Sequence, residues 1–229
     1  MFDYDAAVLE RYPTIRAAVL LATGVVNGPS PAGLLERYRA EQAVVRHQLA
    51  GGAIAELPAI AAWRRAFSAF GAKPTQYRCA AEALLRRLVK HGGIPSINTL
   101  VDIGNVVSIR YAMPVAVIDL AGIDGAVTVR FATGHEHFTD LGSSETVHPE
   151  PGEVVFVDRA GVACARRWCW RQSAQSATSD PTMDALIVVE GQHEGAENDV
   201  KSALDDLTAL LSTFQPQSRL TSSLLSPDR

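Results

Sequence analysis

No stretch of the chain reaches the roughly 18 consecutive apolar residues that a membrane-spanning helix requires, so a membrane protein is not expected. The first residues, MFDYDAAVLERYP, contain no basic region leading into an apolar one. No secretory signal is therefore expected, and the cytoplasm is the expected compartment. Cysteine is scarce: Cys79, Cys164 and Cys169 are the only three in 229 residues. Their odd number and wide spacing give no disulfide framework, and no second pair completes a zinc site around Cys164 and Cys169. The sequence also lacks a GxSxG elbow, a P-loop, an HExxH pair and a GxGxxG in strand–helix context. His135-Glu136-His137 comes nearest to a metal motif. On a strand, though, it places only two imidazoles on one face, one ligand short of the usual catalytic set. No metal and no cofactor are expected.

What remains is an ordinary globular composition, 47% hydrophobic and 20% charged, long enough to bury a substantial core. The net charge of −4 argues against a nucleic-acid partner, but its distribution argues for one. From Ala61 to His91 there are seven cations (Arg64, Arg65, Lys73, Arg78, Arg86, Arg87 and Lys90) against one anion, Glu82. From Glu190 to Asp206 the balance reverses, with six acids against Lys201. One basic face on an acidic protein suits docking on phosphates; a set of solvated helix faces has the same composition.

Residues 15–26 form an apolar, β-branched run ended by Asn27-Gly28-Pro29 and read as a buried strand. Helical spacing follows over 31–50, 58–70 and 78–91, each stopped by glycine. INTLVDIGNVVSIRY (97–111) is ambiguous between helix and strand. AVIDL, AVTVRFA, EVVFVD and ALIVVEG read as short strands, a last amphipathic helix spans 195–213, and the tail after it reads as loose. Helices dominate the first hundred residues and strands the next ninety, so the expected class is α+β, with N-terminal helices packed on a mixed β-sheet.

The segment CARRWCWRQ (164–172) concentrates planar groups and cations. Read as a strand, it puts Trp168 and Trp170 on one face and Arg167, Cys169 and Arg171 on the other. Arginine pairs bidentately with phosphate, and an aromatic ring stacks a splayed base. A core strand with tryptophan inside and arginine outside explains the same alternation.

GGIPSINTLVDIGNVVSIRYAMPVAVID resembles the opening of the editing module, the B3/B4 domain, of the phenylalanyl-tRNA synthetase beta subunit. The matching residues are Pro95, Asn98, Leu100, Val101, Asp102, Ile103, Asn105, Pro114 and Asp119. Freestanding proteins made of this domain alone are closer still. Their pattern WR.AF..FG..P..YR...E.LLRR is matched from Trp63 to Arg87. PGEVV..D..GV.C.RRW.WR is matched from Pro151 to Arg171, followed by Thr178 and Thr182. The likeness covers residues 12–191.

This resemblance implies one B3/B4-like domain, expected over 1–215, and the residues after it, 216–229, are expected to form a flexible tail. It also implies a tRNA partner recognised at its aminoacylated 3′ end, rather than DNA or a membrane. The activity implied is hydrolysis of mischarged aminoacyl-tRNA, a second sieve where one pocket cannot discriminate similar side chains. Such hydrolysis needs a held carbonyl, an oriented water and oxyanion donors, not a protein nucleophile.

There are three departures from the patterns. Ala116 stands where the synthetase has an editing-site histidine. The basic RRWCWRQ replaces its glycine-rich turn with an acid. Cys169 stands where the freestanding pattern has asparagine. A binding module without chemistry is therefore the alternative. The expected site lies between the 98–105 segment and the 166–171 strand. Asn98 and Asn105 would orient the ester, while Arg78, Arg86, Arg87, Arg166, Arg167, Trp168, Trp170 and Arg171 would hold the tRNA. The competing assignment makes Asn98 a helix cap and the tryptophans core.

Overall fold

The computed structural model describes residues 2–227. In chain order the elements are β1 (Phe2–Tyr4), α1 (Ala6–Arg11), β2 (Arg16–Thr23), α2 (Ala32–Gln48), α3 (Pro58–Ala69), α4 (Ala80–His91) and α5 (Thr99–Tyr111). Then follow β3 (Val115–Asp119), β4 (Val127–Phe131), β5 (Phe138–Thr139), β6 (Thr146–Val147), β7 (Val154–Val157), β8 (Ala163–Arg166) and β9 (Arg171–Gln172). The chain closes with β10 (Asp184–Gly191), α6 (Ala196–Phe214) and β11 (Arg219–Leu225). The class is α+β, and helices from the first half pack on sheet drawn largely from the second.

Four strands in the order β11-β2-β10-β3 form an antiparallel sheet. Five more, β1-β4-β7-β8-β9, form a second sheet in which only β1 and β4 run parallel. Helices α5 and α6 lie against the four-stranded sheet, and β10 is buried along nearly its whole length, as its apolar run demands. A single apolar cluster joins residues from both sheets and from every helix. Among the described residues, no helix is long and apolar enough to cross a membrane.

The ambiguous 97–111 segment is helical. Asn98 sits in extended conformation, and its Oδ1 accepts the Val101 N–H at 3.0 Å, an N-cap. Such a bond satisfies one of the donors a helix start leaves open. Gly104 lets the helix settle onto β3, because a methyl there would stand 2.9 Å from Val117 Cγ2.

The tail is a correction. Residues 219–225 are not loose but pair with β2, from Arg219 opposite Thr23 to Leu225 opposite Ala17. The stretch offered no strong signal of its own, and a free edge on β2 supplies its hydrogen-bond partners. Residues 228 and 229 of the expected tail lie outside the described residues.

Candidate functional site

The arginine–tryptophan segment is not a continuous strand. After β8, residues 167–170 make a tight turn in which Arg167 (φ 44°) and Trp168 (φ 61°) both adopt left-handed backbone. Side chains avoid this region, at a cost of order 1–3 kcal/mol each, unless surrounding contacts impose it. Those contacts are plain for Trp168, which is fully buried. Its ring meets Trp63 and Tyr12 edge-on at 5.1 and 4.9 Å, and its Nε1 donates to Glu190 Oε1 at 2.8 Å.

Trp168 therefore belongs to the core and does not share a face with Trp170. Trp170 stays partly exposed, edge-on to Tyr77 at 5.0 Å, with the Arg167 and Arg171 guanidinium carbons 4.9 and 4.7 Å from its ring centre. Arg167 also lies 4.0 Å over Tyr77. Periodicity treats the two tryptophans alike; the turn separates them.

The arginines divide as well. Arg166 is buried and pairs bidentately with Glu153, at 3.0 and 3.2 Å. It holds β8 against the loop before β7. The solitary acid of the basic stretch, Glu82, is fully buried under three arginines. Arg64 and Arg86 each approach to 2.8 Å and Arg78 to 3.9 Å. Much of that positive charge is thus already answered, while Arg87 stands exposed on α4. Arg171 pairs with Asp140 but remains nearly half exposed.

Asn98 is committed at both ends. Besides capping α5, its Nδ2 donates to Thr178 Oγ1 at 3.2 Å. Asn105 lies half-buried in the middle of α5. Neither lines the cavity that the arginine–tryptophan segment forms against β3. The HEH segment is loop rather than regular strand. Glu136 is buried and bound by Arg130 and the backbone of Thr133 and Gly134, while both histidines are exposed.

The cavity that the 165–172 segment does form faces β3. It measures about 70 Å³. One wall is Pro114, Ala116 and Ile118; the other is Trp168, Trp170 and Arg171, with Glu190 of β10 between them. Ala116 thus lines the cavity at the position where the synthetase pattern carries histidine. A wider depression of about 670 Å³ beside Arg11 and Phe131 is an open groove without a cluster of reactive groups.

Glu190 escaped the sequence reading. It is 2% exposed, and its Oε1 accepts from Tyr4 Oη at 2.5 Å as well as from Trp168. Among the described residues, none bonds its second oxygen and no cation pairs with it. Burial pushes its pKa up to about 7, outweighing the two hydrogen bonds that pull it down. The available signal was one acid inside the otherwise apolar run ALIVVEG, which strand alternation passes over.

Comparison with known proteins bears on this arrangement. Residues 62–215 match the family model described as the B3/4 domain. The phenylalanine–tRNA ligase beta subunit of Shewanella oneidensis is 30% identical over 115 residues, 50% of this chain and 14% of that subunit. The Chromobacterium violaceum subunit is 37% identical over 78 residues, 34% of this chain and 10% of its own length. The chain therefore spans only a small part of these relatives. An N-terminal fragment of the phenylalanyl-tRNA synthetase beta subunit from Pyrococcus horikoshii aligns over 96% of this chain and 50% of its own, with a TM-score of 0.49 and 11% identity. The matched region takes in β3, the arginine–tryptophan turn and β10, every wall of the cavity. By the match of residues 62–215 to its family model, the chain belongs to the B3/4 domain family and is related to an aminoacyl-tRNA synthetase subunit.

Proposed function

We propose that this chain is a trans-acting deacylase of mischarged aminoacyl-tRNA, with the ester end of the tRNA held in the cavity between β3 and the 167–170 turn. The observation that supports this reading is the cavity itself, a small, partly open space lined by Ala116, with Trp170 and Arg171 at its side. A partly exposed ring with two guanidinium groups beside it suits the terminal adenosine and its phosphate, because it brings an aromatic surface and positive charge together. The apolar walls would exclude bulk water and strengthen whatever donors meet the developing oxyanion. A neighbouring ribose hydroxyl of the tRNA would orient the attacking water, so no protein nucleophile is required.

The test is a deacylation screen against correctly and incorrectly charged tRNAs. Hydrolysis of at least one mischarged species above its spontaneous rate is the expected result. Trp170→Ala should lower kcat/KM by roughly 5- to 150-fold, the value of one base stacked on an aromatic ring, with an unchanged melting temperature. No hydrolysis across the panel would refute the enzyme. The second reading, a tRNA-binding module without chemistry, is favoured by Ala116, which puts a methyl where the synthetase pattern has an imidazole. Binding without turnover in the same screen would establish it.

The basic surface gives a separate expectation. Arg86 is drawn to Glu82, whereas Arg87 and Lys90 are exposed. Arg87→Glu with Lys90→Glu should weaken tRNA binding and flatten its log–log salt dependence by about 0.7 for each phosphate no longer neutralised. Arg86→Glu should instead lower stability, since it adds a second acid beside a buried one. An unchanged salt slope in the double variant would make this face ordinary solvated surface.

A further inference from the structure

Among the described residues, the deeply buried acids are answered by partners, with one exception. Glu82 has its three arginines and Glu153 has Arg166. Glu136 has Arg130 with backbone donors. Asp102, without a cation, receives Ser30, Ser96 and the Ile97 N–H across both oxygens. Glu190 receives two neutral donors, both on Oε1. Its other oxygen has no partner among the described residues, and Glu190 lines the cavity. A buried carboxylate without a cation is costly, and this one lies where a ligand would enter.

We infer that Glu190 receives the α-ammonium group of the esterified amino acid, so that the site takes aminoacyl esters with a free amino group and rejects those acylated on nitrogen. This rests on the reading of the cavity as the aminoacyl site. Size selects the α-nitrogen over one at the end of a long side chain. A water-sized occupant needs on the order of 10–15 Å³, so about 70 Å³ admits roughly five such groups. The ammonium, Cα, a small β-substituent and the ester carbonyl fill that space. Trp168 and Trp170 are among the residues that line the cavity. Arg171, the cation lining the same cavity, is already paired with Asp140. Tyr4 and Trp168 then act as positioning residues, fixing Oε1 so that the free oxygen turns to the ligand. An arriving ammonium would also restore the ionised form that burial disfavours in the empty site.

The experiment uses one tRNA ending in 3′-amino-3′-deoxyadenosine, whose amide to alanine cannot be hydrolysed. Its affinity for the whole protein is compared in three states: uncharged, alanylated and N-acetylalanylated. The alanylated form should bind about 10- to 100-fold more tightly than the N-acetylated one, the range of a charge-assisted hydrogen bond. Glu190→Gln, which keeps an acceptor for Tyr4 and Trp168, should erase that difference. Equal binding of the two acylated forms, both tighter than uncharged tRNA, would overturn the inference and leave the aminoacyl site standing. Equal binding of all three, or none, would overturn both. The wild-type comparison decides the matter even if the Gln variant fails to fold.

Discussion

Trp168→Ala is expected to remove about 3–5 kcal/mol of folding free energy, measured by chemical denaturation, while Trp170→Ala shifts the midpoint little. Trp168 has no exposed surface and packs against Tyr12, Trp63 and Phe70. Truncation would leave a cavity as large as an indole in a core that cannot close over it. It would also take from Glu190 one of its two donors. The backbone adds a finer expectation. At φ 61° glycine is unstrained while alanine is not. Trp168→Gly should then be no worse than Trp168→Ala, reversing the ordinary preference for alanine by about 1 kcal/mol. A Trp168→Ala protein that melts like its parent but no longer binds tRNA would place this ring at the ligand instead of in the core.

Glu190→Gln should stabilise the protein at pH 8 by up to about 3 kcal/mol, with the two stability curves converging below pH 4.5. The sign follows from linkage. The carboxyl titrates at about 7 in the folded chain against 4.5 when unfolded. Between those values the folded state holds a proton that the unfolded state has released. Folding is therefore favoured at low pH, and that advantage is lost as pH rises through 7. The difference between 7 and 4.5, at about 1.4 kcal/mol for each pH unit, sets the size. Glutamine carries no charge and accepts the same two hydrogen bonds, so its curve lacks this contribution. Parallel curves across the same pH range would mean that the carboxylate ionises in place without penalty. The proposed aminoacyl site would then lose the reason its acid seeks a cation.

Some of this was local information. Helical spacing ended by glycine at Gly51, Gly71 and Gly92 and the break at Asn27-Gly28-Pro29 set element type within a few residues, while 97–111 stayed ambiguous until packing made it a helix. Glu190 shows what local pattern misses. Its main partner, Tyr4, is 186 positions away, and no window along ALIVVEG reports that contact. The candidate site followed the same division. The segment 164–172 stood out by composition, but its geometry did not, because the left-handed turn at Arg167 and Trp168 is imposed by the core around it.

Periodicity, capping and ordered motifs were sufficient for the α+β class and for membership of the family, since each depends on residues close in the chain. Which tryptophan is buried, which arginines are already neutralised, where the cavity opens and that residues 219–225 find an edge on β2 were decided only by tertiary structure. Each of those depends on a partner distant in sequence, and burial, not spacing, determines whether a ring packs or stacks and whether a charge is paired or free.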